Sequence, residues 1–229
     1  MQPVNQGEAQ SFLDRLLGVL KLDAFTWNGI KLDPAANGQA WLIVLLTGLI
    51  SGIGSARNIA DATLQFQTAI DEAAKSDPEL AGQLQTVALQ SFDSPGGRIS
   101  MIVSAIIGAV IAWLLFAALS RWAARQFFGA DPNAASNEQM RRLTGWAYAP
   151  ALLNILAPIP LLGTIATIAA AIWVLVSQVQ AVKHGMNLTT GKAIGASIVA
   201  WIVPALVLIL LVCACIGIVA ATGGVTQTP

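Results

Sequence analysis

Five long runs of apolar residues, separated by polar segments, dominate the hydrophobic pattern of this chain. They cover residues 38–56, 99–119, 138–157, 161–182 and 193–221. A run of about 20 apolar residues is what an α-helix needs to cross a hydrocarbon core of roughly 30 Å. Because an isolated strand would leave its amides unpaired in lipid, each run is expected to be helical. The pattern therefore predicts an all-α membrane bundle of five transmembrane helices over residues 38–221.

The third run is the least regular. Only residues 143–157 are free of charge, and about 15 helical residues reach only about 22 Å. We therefore expect this helix to begin near Glu138, with Arg141 and Arg142 extending to the lipid headgroups. With that extension the third run is long enough to span.

Four prolines indicate where the helices bend or turn. Pro150 lies inside the third run, where its missing N–H leaves the Trp146 carbonyl without a donor and predicts a kink or break. Pro158 and Pro160 predict a tight turn into the fourth run. Pro204 is the expected bend in the long fifth run.

Two pairs of glycines have the four-residue spacing that lets membrane helices approach closely. Gly48 and Gly52 lie in the first run, and Gly191 and Gly195 lie at the start of the fifth. Both pairs are candidate helix-packing sites.

Residues 1–37 form a polar segment that contains an amphipathic pattern. Ser11 and Asp14 have the spacing of a helix start, and Asp14, Arg15 and Lys21 lie off an apolar stripe. The stripe consists of Phe12, Leu13, Leu16, Leu17 and Leu20. We expect an amphipathic helix that lies on the membrane surface or packs against the bundle.

Two further segments lie outside the predicted spans. Residues 57–98 show apolar residues at helical spacing on both sides of Pro78, which predicts a helical hairpin outside the membrane. Its acidic residues lack the spacing of a calcium loop, so they indicate a solvated face. Residues 222–229 form a short tail.

Basic residues lie mostly on one side of the predicted spans. Three lie in the 57–98 loop, and nine lie on the opposite side. The nine are Arg15, Lys21, Lys31, Arg121, Arg125, Arg141, Arg142, Lys183 and Lys192. The positive-inside rule therefore places the N-terminus in the cytoplasm and the C-terminus outside. All of the nine except Lys31 are candidate contacts for lipid headgroups or a partner. Because the first run begins only at residue 38, we expect a retained span and not a cleaved signal peptide.

Composition supports the membrane interpretation and argues against catalysis. Hydrophobic residues make up 55% of the chain and charged residues 10%, far from the roughly 25% charged residues of a soluble domain. No nucleotide-binding or zinc-binding motif occurs in the sequence, and no charged residue lies deep inside a predicted span. We expect no catalytic residues, no cofactor, no metal and no nucleic-acid partner.

The third run and its neighbours resemble a known family. Gly145, Tyr148 and Pro150 form a Gly-x-x-Tyr-x-Pro pattern, followed by a proline-rich hairpin and a Gly/Thr bend before the fifth run. Together with the N-terminal segment, this order is similar to the Yip-type domain of the Ypt/Rab-interacting membrane proteins, in its short prokaryotic branch.

The resemblance implies a membrane protein without established chemistry, located in a bacterial inner membrane. Eukaryotic relatives contact small GTPases through a longer cytosolic region with an acidic-Leu-Tyr-Gly-Pro motif. This chain has one tyrosine and no such motif, so a small GTPase is not an expected partner.

Three functional classes remain. The favoured class is a non-enzymatic scaffold or adaptor that organises membrane shape, trafficking or a partner complex, with a membrane protein or a second copy as its partner. The second class is a passive pore or small-solute permease, for which Thr164, Thr167, Ser177, Gln178 and Gln180 are the candidate polar residues. The third is a membrane enzyme, for which no nucleophile, base or metal set is visible.

Overall fold

The structure, a computed structural model, describes residues 11–57, 67–68, 70–72, 74–75, 77–78, 81–82, 95–159 and 161–223. The secondary-structure elements in these described residues are all helical. In chain order they are α1 (Phe12–Leu20), α2 (Ala24–Leu32), α3 (Ala36–Arg57), α4 (Pro95–Phe127), α5 (Asn137–Trp146), a 3-10 helix (Ala149–Leu156), α6 (Leu162–Met186) and α7 (Thr190–Gly223).

Four helices in the described part of the chain are long and apolar enough to cross a membrane. The candidate spans are 36–56 in α3, 96–127 in α4, 162–186 in α6 and 190–207 in α7. They match the first, second, fourth and fifth predicted runs. The third run differs, because α5 is only 10 residues long and is followed by a 3-10 helix of eight residues. The structure therefore gives four candidate spans and a broken third element, where the sequence predicted a fifth helix.

The broken element still runs along α6 from its end to its start. Just before α5, the Ala135 N–H donates to the Gly185 carbonyl in the last turn of α6, at 2.9 Å. The 3-10 helix then packs against α6, and the chain turns at residues 157–159, shortly before α6 begins at Leu162. Pro158 lies in this turn, whereas Pro160 lies outside the described residues.

The hydrophobic core lies at one end of the bundle. There α1, α2 and α5 meet the adjoining ends of the long helices, and the largest fully buried side chains include Trp27, Ile30, Met140, Leu143 and Trp146. Away from this end, α3, α4, α6 and α7 expose large aliphatic side chains along their length. This distribution suits helices that are surrounded by lipid.

The N-terminal helices are fixed to the core end. The Ser11 side chain caps α1 by accepting the Asp14 N–H, and Asp23 caps α2 by accepting the Thr26 N–H. Between them the chain reverses through Leu22, which has a φ of 57°. Ahead of α3, the described residues from Ser11 onward therefore form two helices where the sequence predicted one.

The predicted hairpin of residues 57–98 falls mostly outside the described residues. Those that the structure describes between 67 and 82 are mainly helical, and Ile70 and Ala81 are buried there with Ala74 packed against them. Residues 224–229 of the predicted tail also lie outside the described part.

Candidate functional site

The break in the third element is centred on Tyr148. The α-helix ends at Trp146, Tyr148 precedes the 3-10 helix, and Pro150 occupies its first turn. Pro150 cannot donate to the Trp146 carbonyl, which explains why the α-helix stops within a turn of it. The side chain of Tyr148 is turned into the protein, where it borders two cavities.

The larger cavity is a groove of about 850 Å³ between α4 and α7. Gly108, Ile111 and Leu115 line it on α4, and Pro204 and Val207 line it on α7. The groove faces outward between two candidate spans, so its opening faces the surrounding lipid. Pro204 lies within α7 and also forms part of this wall.

Three polar side chains form the floor of the groove. The Trp201 indole N–H donates to the Gln178 side-chain oxygen at 2.9 Å, and the Tyr148 side chain lines the groove with them. Gln178 is 4% exposed. Trp201 also stacks on Phe116, with ring centroids 6.0 Å apart, and both rings lie against the groove.

The second cavity is smaller, about 240 Å³, and lies between α3, the 3-10 helix and α6. Thr47, Ser51, Asn154 and Thr167 give it polar walls. The buried Asn154 side-chain oxygen has no hydrogen-bond partner within the described part of the chain. A water molecule in this cavity would satisfy it, because polar walls and sufficient room are what buried water requires.

The polar residues on α6 that the sequence offered as a solute path do not converge. Gln178 faces the apolar groove, Thr167 faces the polar cavity, and Thr164 is exposed on the outside of the bundle. Ser177 is fully buried, and Gln180 is partly buried. These positions do not define one continuous polar route.

Arg15 is the main ionic feature that the sequence interpretation missed. It is 2% exposed and forms an ion pair with Asp33, while its second terminal nitrogen donates to the Gln39 side chain at 2.6 Å. The Ala35 backbone N–H and the Arg15 guanidinium lower the pKa of Asp33 below its usual value. The prediction that Arg15 contacts headgroups is therefore wrong, because its charge is used inside the protein to join α1 to the start of α3.

Arg142 is also buried, in contrast to the prediction. It pairs with Glu138 one turn earlier at 2.7 Å and donates to the Lys31 carbonyl at 3.3 Å. Lys31 in turn reaches the His184 carbonyl at 3.3 Å, and burial lowers the pKa of Lys31. These bonds join α2 to α5 and α6, and Arg142 is not available to the membrane surface.

The other predicted cationic contacts are more accessible. Lys21, Arg125, Arg141 and Lys192 are exposed, whereas Lys183 is partly buried. Two arginines bind the loop before α5, because Arg121 donates to the Ala135 carbonyl at 3.0 Å and Arg125 to the Pro132 carbonyl at 3.2 Å. No group of histidine, cysteine, aspartate or glutamate side chains that could hold a metal occurs among the residues described.

Four of the predicted glycines have a close neighbour in the structure, and one does not. A Cβ atom on Gly48 or Gly52 would lie 2.9 or 2.8 Å from a backbone Cα of α4, and one on Gly145 would lie 2.8 Å from Ala40. At Gly195 the neighbour is the ring of Phe128 in the loop after α4. At Gly191 no described atom lies within 4 Å of the Cβ position.

The apolar side chains of α1 do not all face the core. Leu13 and Leu17 are 64% and 53% exposed, although Arg15 between them is buried. On α2, Phe25 and Leu32 are exposed as well. The sequence identified this stripe but not the direction in which it points.

Comparison with known proteins assigns the family. No curated protein and no solved structure matches the chain. The model of the Yip1 domain matches residues 17–212, which include the second helix, the four candidate spans and the broken element around Tyr148. This match covers most of the chain and agrees with the apolar helices of an integral membrane protein, so the chain belongs to the Yip1 domain family.

Proposed function

We propose that this protein is a non-enzymatic membrane scaffold that shapes the bilayer by inserting its N-terminal helices into one leaflet. The observation that carries the proposal is the orientation of α1, in which Leu13 and Leu17 point outward while Arg15 points inward. In water this arrangement exposes apolar surface worth about 2 kcal/mol per leucine. At a membrane interface the same surface is buried among acyl chains.

The exposed apolar side chains act together on one leaflet. Leu13, Leu17, Phe25 and Leu32 all belong to the short helices at the core end of the bundle. The Arg15 ion pair and the Lys31 contact with α6 hold these helices in place. A rigid wedge that adds area to one leaflet only favours curvature of the bilayer.

The membrane arrangement is part of the proposal. The nine basic residues support an orientation with the core end in the cytoplasm of a bacterium and the C-terminus outside the inner membrane. The broken element then counts as the fifth crossing, because it joins the two ends of α6. A membrane protein or a second copy of this chain is the expected partner.

The insertion of α1 can be measured directly. In a background without the two native cysteines, a bimane probe is attached at Leu17→Cys or, as a control outside α1 and α2, at Asn137→Cys at the start of α5, and the protein is reconstituted in vesicles that contain brominated lipid. We expect strong quenching at position 17 and weak quenching at 137. Equal, weak quenching at both positions would show that α1 faces water.

The shaping activity needs a matched pair of variants. Leu17→Asp places a charge on the inserted face, whereas Asn137→Asp adds the same charge at an exposed position at the start of α5, outside α1 and α2. At high protein-to-lipid ratio, wild type and Asn137→Asp should convert large vesicles into tubules or small vesicles, and Leu17→Asp should not. Vesicles that keep their size with wild-type protein would refute the function even if α1 inserts.

A further inference from the structure

We propose that the groove between α4 and α7 binds an uncharged lipid, with a long apolar chain along the helices and a carbonyl or hydroxyl oxygen at the Tyr148–Gln178–Trp201 floor. The inference is independent of membrane shaping, because it concerns a different part of the protein. Its basis is the combination of a lipid-facing apolar groove with polar side chains that lie deep in the bilayer.

The size of the groove fits one lipid chain. Along α4 its lining runs from Gly108 to Leu119, which is about 16 Å at the helical rise of 1.5 Å per residue. One leaflet contributes about half of a hydrocarbon core of roughly 30 Å. The groove is therefore about as long as one leaflet is thick, and a fully extended chain of that leaflet fills it.

The depth of the floor excludes a phospholipid headgroup. Gln178 lies four residues from the centre of the 25-residue helix α6, or about 6 Å along its axis. The edge of the hydrocarbon core lies about 15 Å from the midplane. A ligand group at Gln178 therefore lies within the hydrocarbon, where a phosphate or an ionised carboxylate is strongly disfavoured.

The hydrogen-bond donors on the floor of the groove favour a ligand group that accepts hydrogen bonds. The Gln178 oxygen accepts the Trp201 N–H, and Tyr148 lines the groove with them. The Gln178 amide N–H groups and the Tyr148 O–H are therefore the donors that the floor offers a ligand. No charged side chain lines the groove among the described residues, so the matching group is an uncharged oxygen.

The test compares two brominated probes that differ in one group. The probes are dibrominated methyl stearate, which carries an ester carbonyl, and a dibrominated alkane of equal length. Tryptophan quenching is followed in phosphatidylcholine nanodiscs, and the contribution of Trp201 is the difference between wild type and Trp201→Phe. We expect the ester to saturate this signal at a mole fraction about tenfold lower than the alkane, because one hydrogen bond in an apolar site favours it.

Variants locate the binding. Gly108→Phe fills the groove without a clash, because no described atom lies within 4 Å of its Cβ position, and it should abolish saturable quenching. Gly54→Phe on α3 is the matched control, since its Cβ position is equally open and lies outside the groove. Gln178→Leu should remove the preference for the ester but leave alkane quenching.

Two outcomes of these measurements would contradict the proposal. Equal saturation by ester and alkane would overturn the polar recognition, and the groove would then be filled by ordinary acyl chains. Loss of the signal in Gly54→Phe as well as in Gly108→Phe would overturn the location. Trp122 and Trp173 are exposed outside the groove and should be quenched equally in every variant, which controls for the amount of probe in the disc.

Discussion

Backbone proximity decides which individual glycines matter in this protein. Gly48 and Gly52 face the backbone of α4 at distances that no Cβ atom tolerates, whereas Gly54, two residues further along α3, has open space around it. Both kinds of glycine cost a helix about the same intrinsic stability, roughly 1 kcal/mol relative to alanine. The difference between them is therefore a difference in packing alone.

The first prediction uses this contrast. Gly52→Ala should lower the free energy of unfolding by about 1–3 kcal/mol, because the new methyl group lies 2.8 Å from the Ile102 Cα and forces α3 and α4 apart. Gly54→Ala should leave it unchanged or raise it slightly. Reversible unfolding in mixed detergent micelles measures both. A Gly52→Ala protein as stable as wild type would mean that α3 and α4 do not pack closely at this point.

Residue-level prediction succeeded where small size alone was informative. The four-residue spacing located Gly48 and Gly52, but the same spacing at Gly191 and Gly195 did not produce a helix–helix contact. The four-residue spacing indicates that a close approach between helices is possible. It does not indicate which surface of the helix faces a neighbouring helix. Asn154 and Trp201 could not be assigned from sequence, because their roles depend on cavities formed by distant elements.

At the level of elements, the orientation of α1 was the least predictable feature. The residue pattern correctly places a helix after Ser11, and the capping box is present. The buried face contains Arg15 and Val19, however, and the leucines at 13 and 17 point away. A buried arginine becomes stable only through Asp33 and Gln39, which lie far along the sequence, so periodicity could not reveal it.

The second prediction concerns this ion pair. Asp33→Asn should lower the free energy of unfolding by about 2 kcal/mol, below the roughly 3–5 kcal/mol of a fully buried pair because the Asp33 side chain is 28% exposed. The expected result is loosened docking of α1 and α2. Hydrogen exchange over residues 12–32 should increase in the variant, while exchange in α4 remains slow.

The pH dependence of the same pair has a definite sign. Because the pKa of Asp33 is lowered on folding, its contribution is present above the usual pKa of 3.8 and is lost as the pH falls past that value toward the lowered one. Wild type should therefore lose more stability than Asp33→Asn when acidified through this window. Parallel curves for the two proteins would show that the carboxylate is not stabilised by folding. Asp23, whose pKa is also lowered, chiefly by the Thr26 hydroxyl, is common to both proteins and cancels.

The whole molecule combines a core like that of a soluble protein at one end with lipid-facing helices elsewhere. All five apolar runs were predicted as helices, and four of them coincide with long apolar helices in the structure, because run length and hydropathy are local properties. The second of these helices, α4, extends to Phe127, eight residues beyond the predicted end. The break at Pro150 was also predicted, since proline acts on its own helix. The hydrophobic pattern could not predict the packing of α2 into the core. There Trp27 and Ile30 are fully buried between elements that are distant in sequence.

The last prediction is the membrane topology. Because α5 and the 3-10 helix run back along α6, residues 130–137 and the start of α6 lie at opposite ends of the bundle, and α7 returns across the bilayer from the core end. Nine basic residues against three then predict that the core end lies in the cytoplasm. Reporter fusions within residues 130–137 and after residue 229 should report the cytoplasm and the outside, respectively. Both reporters on one side would mean that α7 or the broken element does not cross, whereas exchanged sides would retain the crossings and refute only the orientation.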